Sequence, residues 1–433
     1  MTDDFEAIVV GAGMAGAPAA IRLAQAGANV LLVERAPEAG MKNLSGGILW
    51  GRDLDAILPR WSEEMPLERH LVRKRFGFLT AGDAVSFDLE DHHWRRPPYR
   101  AHSVLRARTD RWLAHEAESA GATVVTSVPV ERLNWEGTRV HGIVQGGEPM
   151  TAPVTLICDG ANSRLSLHTP IRPEARLSAS ATELGIKEVY RMAPSVLEDR
   201  FQVGPGEAHA EEWVVGFLPP GVMAGGFVYT NRETVSIGLI VNIGSLFGRQ
   251  SYAHDLLEQF KMHPAIAARL EGAELVEYGA KLISSGWASR PRAFHGDGWM
   301  IAGDAAGFVF SNGLVIQGMN YAVRSGLLAA ETALEAKSAG DGSARTLSRY
   351  TDRLESSGIL PDFREFEGMD RVKWNPRFYT AYPRFAAELL RGMMADPSGR
   401  KRPARRLLRE AQKAAGLGTR SLLSDGLDLL RHL

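Results

Sequence analysis

Glu6-Ala7-Ile8-Val9-Val10-Gly11-Ala12-Gly13-Met14-Ala15-Gly16-Ala17-Pro18 decides how this chain folds. Ala7 to Val10 is the short, continuous apolar run of a strand buried on both faces of a parallel sheet. Each glycine after it has its own task. Gly11 permits a tight turn, Gly13 lets backbone N–H groups approach a pyrophosphate, and Gly16 lets the next helix pack closely on the strand. That helix, ending near Ala26, brings unpaired amide donors and the positive end of its dipole to the same place. A second strand spans Asn29 to Val33, and Glu34 ends it eighteen residues after Gly16. A carboxylate there accepts hydrogen bonds from ribose hydroxyls and repels the extra phosphate of NADP.

A second glycine turn lies nearly three hundred residues further on: Trp299 to Ala302 is apolar, and Gly303-Asp304-Ala305-Ala306-Gly307 follows. Asp304, at a strand end, suits a hydrogen bond from a ribityl hydroxyl. Asn312 to Asn320 then leads into a strong helical pattern, Tyr321 to Lys337. The N-terminus of that helix fits the pyrimidine edge of an isoalloxazine, where its free N–H groups favour negative charge. One such turn indicates a generic dinucleotide site. The pair, split by a long insertion, points to FAD held along its whole length. Leu44-Ser45-Gly46-Gly47 is a small, polar loop suited to close approach to a flat ligand, or equally to an ordinary surface turn.

The rest of the chain bounds the answer. With 433 residues it exceeds one typical core, and a net charge of −1 gives no argument for nucleic acid as a partner. Its one cysteine, Cys158, excludes an internal disulfide and a cysteine-ligated cluster carried by this chain alone. Met1-Thr2-Asp3-Asp4 lacks a signal-peptide pattern, and Pro219-Pro220 breaks the longest apolar stretch, Trp213 to Tyr229. These features predict a cytoplasmic protein. Arg75 to Leu89 alternates as strands do, Arg106 to Ala120 is helical, and Thr123 to Thr126 and Val154 to Cys158 are further strands. Short alternating segments from Thr182 to Val241 predict an inserted antiparallel sheet, followed by helices at Tyr252 to Phe260 and Pro264 to Leu270. The expected fold is α/β. A discontinuous Rossmann-like FAD domain (1–70, 101–175, 286–340) carries an inserted sheet domain for substrate (71–100, 176–285). C-terminal helices (341–433) complete it.

The set Gly11 to Gly16, Glu34, Lys42 to Gly47, Arg106…Asp110…Trp112-Leu113, Asp159-Gly160 and Gly303 to Gly307 resembles the p-hydroxybenzoate-hydroxylase-like flavoproteins. Gly226 to Glu233, Gly296 to Trp299, and Gly318 to Ala322 followed by Ser325-Gly326 are most similar to FixC flavoproteins and electron-transfer-flavoprotein:quinone oxidoreductases. Geranylgeranyl reductases are related to both. The resemblance covers nearly the whole chain. It implies FAD bound through Gly11, Gly13, Ala15, Gly16, Glu34, Arg35, Lys42, Ser45, Gly46, Gly47, Arg106, Val130, Asp159, Gly160, Gly303 and Asp304, with Gly318, Met319 and Asn320 near the ring. It also implies electrons moved between a carrier or small-molecule donor and a quinone or other apolar acceptor. The larger quinone oxidoreductases carry a cysteine-rich cluster domain; this chain has none, an absence shared with FixC-type proteins. That implies a separate ferredoxin-like or electron-transfer-flavoprotein partner. Leu314-Val315-Ile316-Gln317 is less polar than in many relatives and suits a smaller or apolar substrate in a specialised pathway.

Two other readings compete. Asp159-Gly160-Ala161-Asn162-Ser163-Arg164 also resembles the motif with which aromatic hydroxylases serve FAD and NAD(P)H, the mark of a monooxygenase using O2. Against it, the segment after Asp304 lacks the proline usual in hydroxylases. A flavin-binding protein without turnover is the third reading. His92-His93 and His102 have no third ligand at metal-binding spacing, so no metal is expected. No catalytic acid or base is assigned; Tyr229 and His102 are the candidates, with Tyr229 reading more readily as core and His102 as a surface-loop or substrate-facing residue. From Arg400 to Lys413 there are seven basic residues against one acid, Glu410. They form either a solvated helix face or a peripheral contact with the inner face of an anionic membrane.

Overall fold

A six-stranded sheet forms around the first glycine turn. In this computed structural model, which describes residues 3–43, 46–174, 176–395 and 401–432, the strand Ala7–Val10 lies between Val30–Val33 and Thr155–Ile157. Thr123–Val125 and Trp299–Ile301 extend the sheet in parallel, and the short His295–Gly296 adds an antiparallel edge. Ala7 to Val10 and Val30 to Val33 are buried throughout, as continuous apolar runs in a covered parallel sheet must be. Helix Gly16–Gln25 starts where the glycines predict and lays Ala17, Ala20 and Ile21 on the sheet. A meander of Arg132–Glu136, Arg139–Gln145 and Glu148–Thr151, which the sequence did not announce, sits beside this unit.

The second sheet has the order Glu274–Ser284, Thr182–Arg191, Thr234–Asn242, Ala224–Thr230, Glu207–Val215, His70–Leu79, Ala101–Ser103, Ile48–Trp50, with Ala84–Glu90 on the flank of His70–Leu79. It is antiparallel as expected except at one seam, where His70–Leu79 and Glu207–Val215 run parallel. That seam is where the 71–100 strands meet the main insertion, two pieces of chain that a hairpin does not connect. Ile48–Trp50 and Ala101–Ser103 come from the pieces expected to bind cofactor, yet both join this sheet. Helices Ala253–Met262 and Pro264–Leu270 cover its outer face through Leu256, Leu257, Phe260 and Ile266.

Helix Met319–Ala339 begins two residues before its expected start, after a two-strand ribbon of Phe310–Ser311 and Ile316–Gln317. The stretch Trp213 to Tyr229 divides between two strands, and no described helix is long and apolar enough to cross a membrane. C-terminal helices begin at Ala344 and pack against both sheets.

One buried charge opposes the fold. Lys187, on Thr182–Arg191, has a fully buried side chain whose Nζ makes no hydrogen bond, with Glu277 4.0 Å away. Burial pulls its pKa down from 10.5 to about 8. Between those values the unfolded chain holds a proton that the folded chain does not, so stability rises with pH across that window. At neutral pH the cost is about 3 kcal/mol. Lys187→Met is expected to raise the melting temperature at pH 7 and to flatten the rise in stability between pH 8 and 10.5. Thermal melts across that range check it.

Candidate functional site

Between the two sheets lies a cavity of about 640 Å³, in the range of sites for large organic ligands. At one end are Val33, Glu34, Arg35 and the loop Val128 to Glu131, which includes Val130. Glu34 accepts hydrogen bonds from the Ala12 amide at 3.1 Å and the Ala36 amide at 2.9 Å. These fix its carboxylate at the cavity wall with lone pairs to spare for hydroxyl donors.

Gly11, Gly13, Met14 and Ala15 form the next stretch of wall. Gly11 has φ +103°, and a Cβ there would lie 2.4 Å from the Cys158 carbonyl oxygen. Gly16 is behind the wall, where a Cβ would meet the Gly11 carbonyl oxygen at 1.9 Å. Its part is therefore helix packing, as the motif requires. Gly303, with φ +64°, is likewise behind the surface, and its N–H donates to Ser325 Oγ at 3.0 Å. Asp304 faces the cavity.

Asp159 and Gly160 line the site beside Gly11, where a Cβ on Gly11 would lie 3.5 Å from the Asp159 Cα. Asp159 Oδ2 accepts from the Leu165 amide at 3.1 Å, while Oδ1 is buried with no partner in the protein. Burial pushes this carboxyl up to about 6. An acceptor left unpaired at a cavity wall is costly unless a ligand donor reaches it.

Arg106 lines the middle of the cavity close to Gly13 and is gripped by Asp110, with Nε–Oδ1 at 2.7 Å and Nη2–Oδ2 at 2.8 Å. Asn43 bridges Asp110 to Lys281, whose Nζ donates to Asn43 Oδ1. Burial lowers the pKa of Lys281, and the neighbouring Arg106 charge adds to it. Lys42 also lines this section.

At the far end Gly46, Gly47, Gly318 and Met319 offer backbone and thioether surface to a flat group. Gly46, at φ +39°, sits so close to Val104 that no side chain fits. Tyr229 and Phe227, stacked at 5.1 Å, close this end together with Trp50, Lys74 and Glu212. Burial, and then the charge of Glu212, hold the Tyr229 phenol well above its ordinary value. Leu44 and Ser45 lie outside the described residues.

Two expected residues take other places. His102 is packed under Trp61 and Tyr99, and burial, with His70 beside it, pushes its pKa down to about 4. It is a neutral core histidine, held there because its strand pairs inside the second sheet. Asn320 turns its amide onto Gln317 Oε1 at 3.3 Å. Among the described residues, no group of three or more His, Cys, Asp or Glu side chains is arranged to hold a metal ion. Lys74, Glu212, Lys281 and Trp50 were not anticipated; strand register, which one sequence does not display, brings them to the site.

The donor set suits FAD from end to end. It offers a carboxylate for ribose, a glycine turn and helix start for pyrophosphate, Arg106 and Asp304 midway, and a side-chain-poor slot for a planar ring.

Comparison with known proteins agrees. Residues 4–212 match the FAD binding domain family, and residues 182–283 match the ubiquinone-binding domain of ETF-QO. The chain is 37% identical to a probable electron transfer flavoprotein-quinone oxidoreductase, YdiS, of Escherichia coli (strain K12), with 99% of each chain covered. It is 36% identical to protein FixC of Escherichia coli O157:H7 over 98% of each. Among solved structures, a geranylgeranyl bacteriochlorophyll reductase-like protein from Thermoplasma acidophilum superposes with a TM-score of 0.65 at 18% identity, covering 97% of this chain and 95% of that one. The flavin-dependent brominase Bmp2 gives 0.63 at 16% identity, covering 98% of each chain. At such identities these two establish the fold alone. The sequence relatives go further: this chain belongs to the FixC and electron-transfer-flavoprotein:quinone-oxidoreductase-like family of FAD-dependent oxidoreductases.

Proposed function

We propose that this flavoprotein passes electrons from a reduced carrier protein, of the ferredoxin or electron-transfer-flavoprotein kind, through FAD to a quinone. One observation carries the reading. The segment matched to the ubiquinone-binding family supplies Phe227, Tyr229, Ile240 and Ile283, the apolar wall at the end of the cavity opposite Glu34. Val315 and Ile316 add to that wall, so an apolar acceptor has a place to lie beside the ring slot.

FAD supplies two-electron and one-electron chemistry, which the protein positions and tunes. Glu34 and the Gly11 turn hold the nucleotide end, and Arg106 and Lys281 offset phosphate charge. The amides at the start of helix Met319–Ala339 would favour negative charge on a flavin ring held in the slot. Phe227, Tyr229 and Trp50 exclude water from the acceptor side.

The test is anaerobic reduction of the purified protein followed by stopped-flow mixing with a soluble quinone or with oxygen. Fast reoxidation by quinone and slow reaction with oxygen is the expected result. Rapid reduction by NAD(P)H followed by fast reaction with oxygen would establish a monooxygenase instead, and failure to cycle with any donor a binding protein.

A membrane quinone requires access, and the C-terminal helices suit a bilayer surface. Helix Ala404–Ala414 packs on Ala381–Met394, with Leu407 close against Gly392. Leu408, Met393 and Met394 are exposed near Arg405 and Arg409. Arg402 and Arg406 are paired with Glu410, at 2.6 and 2.9 Å, which reduces the free positive charge. Each basic residue near an anionic surface contributes ~1 kcal/mol. Reversing Arg405, Arg406 and Arg409 to glutamate is expected to abolish cosedimentation with phosphatidylglycerol vesicles. Unchanged binding would leave this face simply solvated.

A further inference from the structure

One charged pair stands in the apolar end of the cavity. Lys74 Nζ lies 3.1 Å from Glu212 Oε1, and the two side chains are 17% and 18% exposed. Strand register puts them there. Ala210 is opposite both Lys74 and Tyr229, while Glu212 is opposite both Phe76 and Phe227. Lys74, Tyr229, Glu212 and Phe227 therefore share one face of the sheet, the face that lines the cavity. The opposite face of the same strands carries a separate network, in which Arg75 bonds Asp88 and Glu211, and Arg269 bonds Glu211. That network is complete without Lys74 or Glu212.

The pair is poorly explained by stability. Withdrawing two charges from water into an apolar pocket is costly, and apolar residues of similar volume serve a sheet as well or better. Tyr229, on the same face and opposite the same Ala210 as Lys74, stands next to the ring slot, since a Cβ at Gly47 would be 3.6 Å from its ring and 4.0 Å from the Met319 methyl. Lys74 is the charged group that acts on Glu212, and Tyr229 the titratable group that feels Glu212 in turn. Burial raises the Glu212 carboxyl, against the pull of Lys74.

We propose that Lys74, held by Glu212, donates a hydrogen bond to a carbonyl oxygen of the electron acceptor and delivers a proton to it during reduction. This rests on the quinone reading above. A quinone gains two electrons and two protons, and both C=O groups become C–OH. A bound, reduced flavin would supply the two electrons and one proton, as a hydride equivalent. The second proton leaves Lys74 Nζ, its N–H bond breaking as the O–H bond of the product forms. The neutral amine then recovers a proton from solvent. Glu212 is a positioning residue, which fixes the amine at 3.1 Å.

The experiment uses holoprotein of the wild type, Lys74→Met, Lys74→Arg and Glu212→Gln. Reoxidation is followed with decylubiquinone and with ferricenium, an acceptor that takes no proton. Binding of decylubiquinone to the oxidised holoprotein is measured by calorimetry. In Lys74→Met the quinone-to-ferricenium rate ratio is expected to fall by about tenfold or more, and quinone binding to weaken by a similar factor, the worth of a charged hydrogen bond. Lys74→Arg should restore binding but not the ratio, since arginine keeps its proton. Glu212→Gln should lower the quinone-to-ferricenium ratio and weaken quinone binding, each less than Lys74→Met does, because the amine loses the carboxylate that holds it in place. An unchanged ratio in Lys74→Met overturns the proposal, as does equal slowing toward both acceptors, which would assign Lys74 to structure. A wild type that reduces ferricenium but no quinone removes the acceptor on which both readings depend; the other two outcomes leave that acceptor standing.

Discussion

Gly11→Ala is expected to purify without its flavin. Two independent penalties meet at this position. Gly11 has φ +103°, a conformation that costs a residue with a side chain about 1–3 kcal/mol. The added Cβ would also lie 2.4 Å from the Cys158 carbonyl oxygen. Overpacking of that kind costs a further ~1–3 kcal/mol. The turn cannot drift to relieve it. The Gly11 amide donates to the Val33 carbonyl at 2.8 Å, and the Cys158 amide to the Val10 carbonyl at 2.9 Å, so both sides of the clash are tied directly to sheet strands. Any shift opens the wall that would carry the pyrophosphate. Gly27→Ala is the control, because Gly27 also has positive φ (+74°) but nothing lies within 4 Å of its Cβ. It should cost about 1 kcal/mol and keep its colour. The flavin-to-protein absorbance ratio and the melting temperature of the two variants decide the matter. A yellow Gly11→Ala protein would mean that the pyrophosphate is not carried by this turn.

The glycine turns were legible because their requirements are local. A strand, a residue without a side chain and a helix start must follow one another in the chain, and a carboxylate must end the next strand. Glu34, Asp304 and Gly318 could be placed for the same reason. The acceptor end of the cavity was not legible, and Arg73-Lys74-Arg75 shows why. Three basic residues in a row on a strand must alternate faces, but the phase depends on the partner strand. Here the pairing with Glu207–Val215 slips between Ala208 and His209, opposite Leu71 and Arg73, so that Val72 is passed over. That irregularity sends Lys74 to the cavity and leaves Arg73 and Arg75 to pair with Asp88. Without it Arg73 and Arg75 would take the cavity face and Lys74 the opposite one. His102 misled in the opposite direction: a histidine near a loop looks available, yet burial under Trp61 keeps it neutral and out of the cavity lining. Lys281 escaped notice because it projects from the outermost strand of the second sheet into a network rooted in the first unit, at Asn43 and Asp110.

Gly326→Ala should be nearly as damaging as Gly11→Ala, although Gly326 is not part of the cavity wall. It sits on helix Met319–Ala339 where that helix crosses the start of Gly16–Gln25, and a Cβ there would lie 2.1 Å from the Ala15 carbonyl oxygen. The contact is backbone against backbone, so no side chain can turn aside to make room. The preceding residue ties the same helix to the other glycine turn: Ser325 Oγ accepts from the Gly303 amide at 3.0 Å and donates to the Ala322 carbonyl at 3.1 Å. Ser325 and Gly326 thus couple the phosphate-side turn, the Gly303 turn and the Gly318-Met319 end of the ring slot through one rigid helix. A methyl group at 326 must push that helix away from Ala15, at a cost of about 1–3 kcal/mol or more. It must also move Gly318 and Met319 relative to Gly13. The expected result is a folded but destabilised protein with weakened flavin affinity. The loss should be steeper for FAD than for ADP, because FAD would have to engage both ends of the displaced slot whereas ADP would occupy only the Glu34 end. Titration of the apoprotein with FAD and with ADP separates the two. Equal weakening for both ligands would place the damage at the phosphate turn alone and would refute the coupling through helix Met319–Ala339.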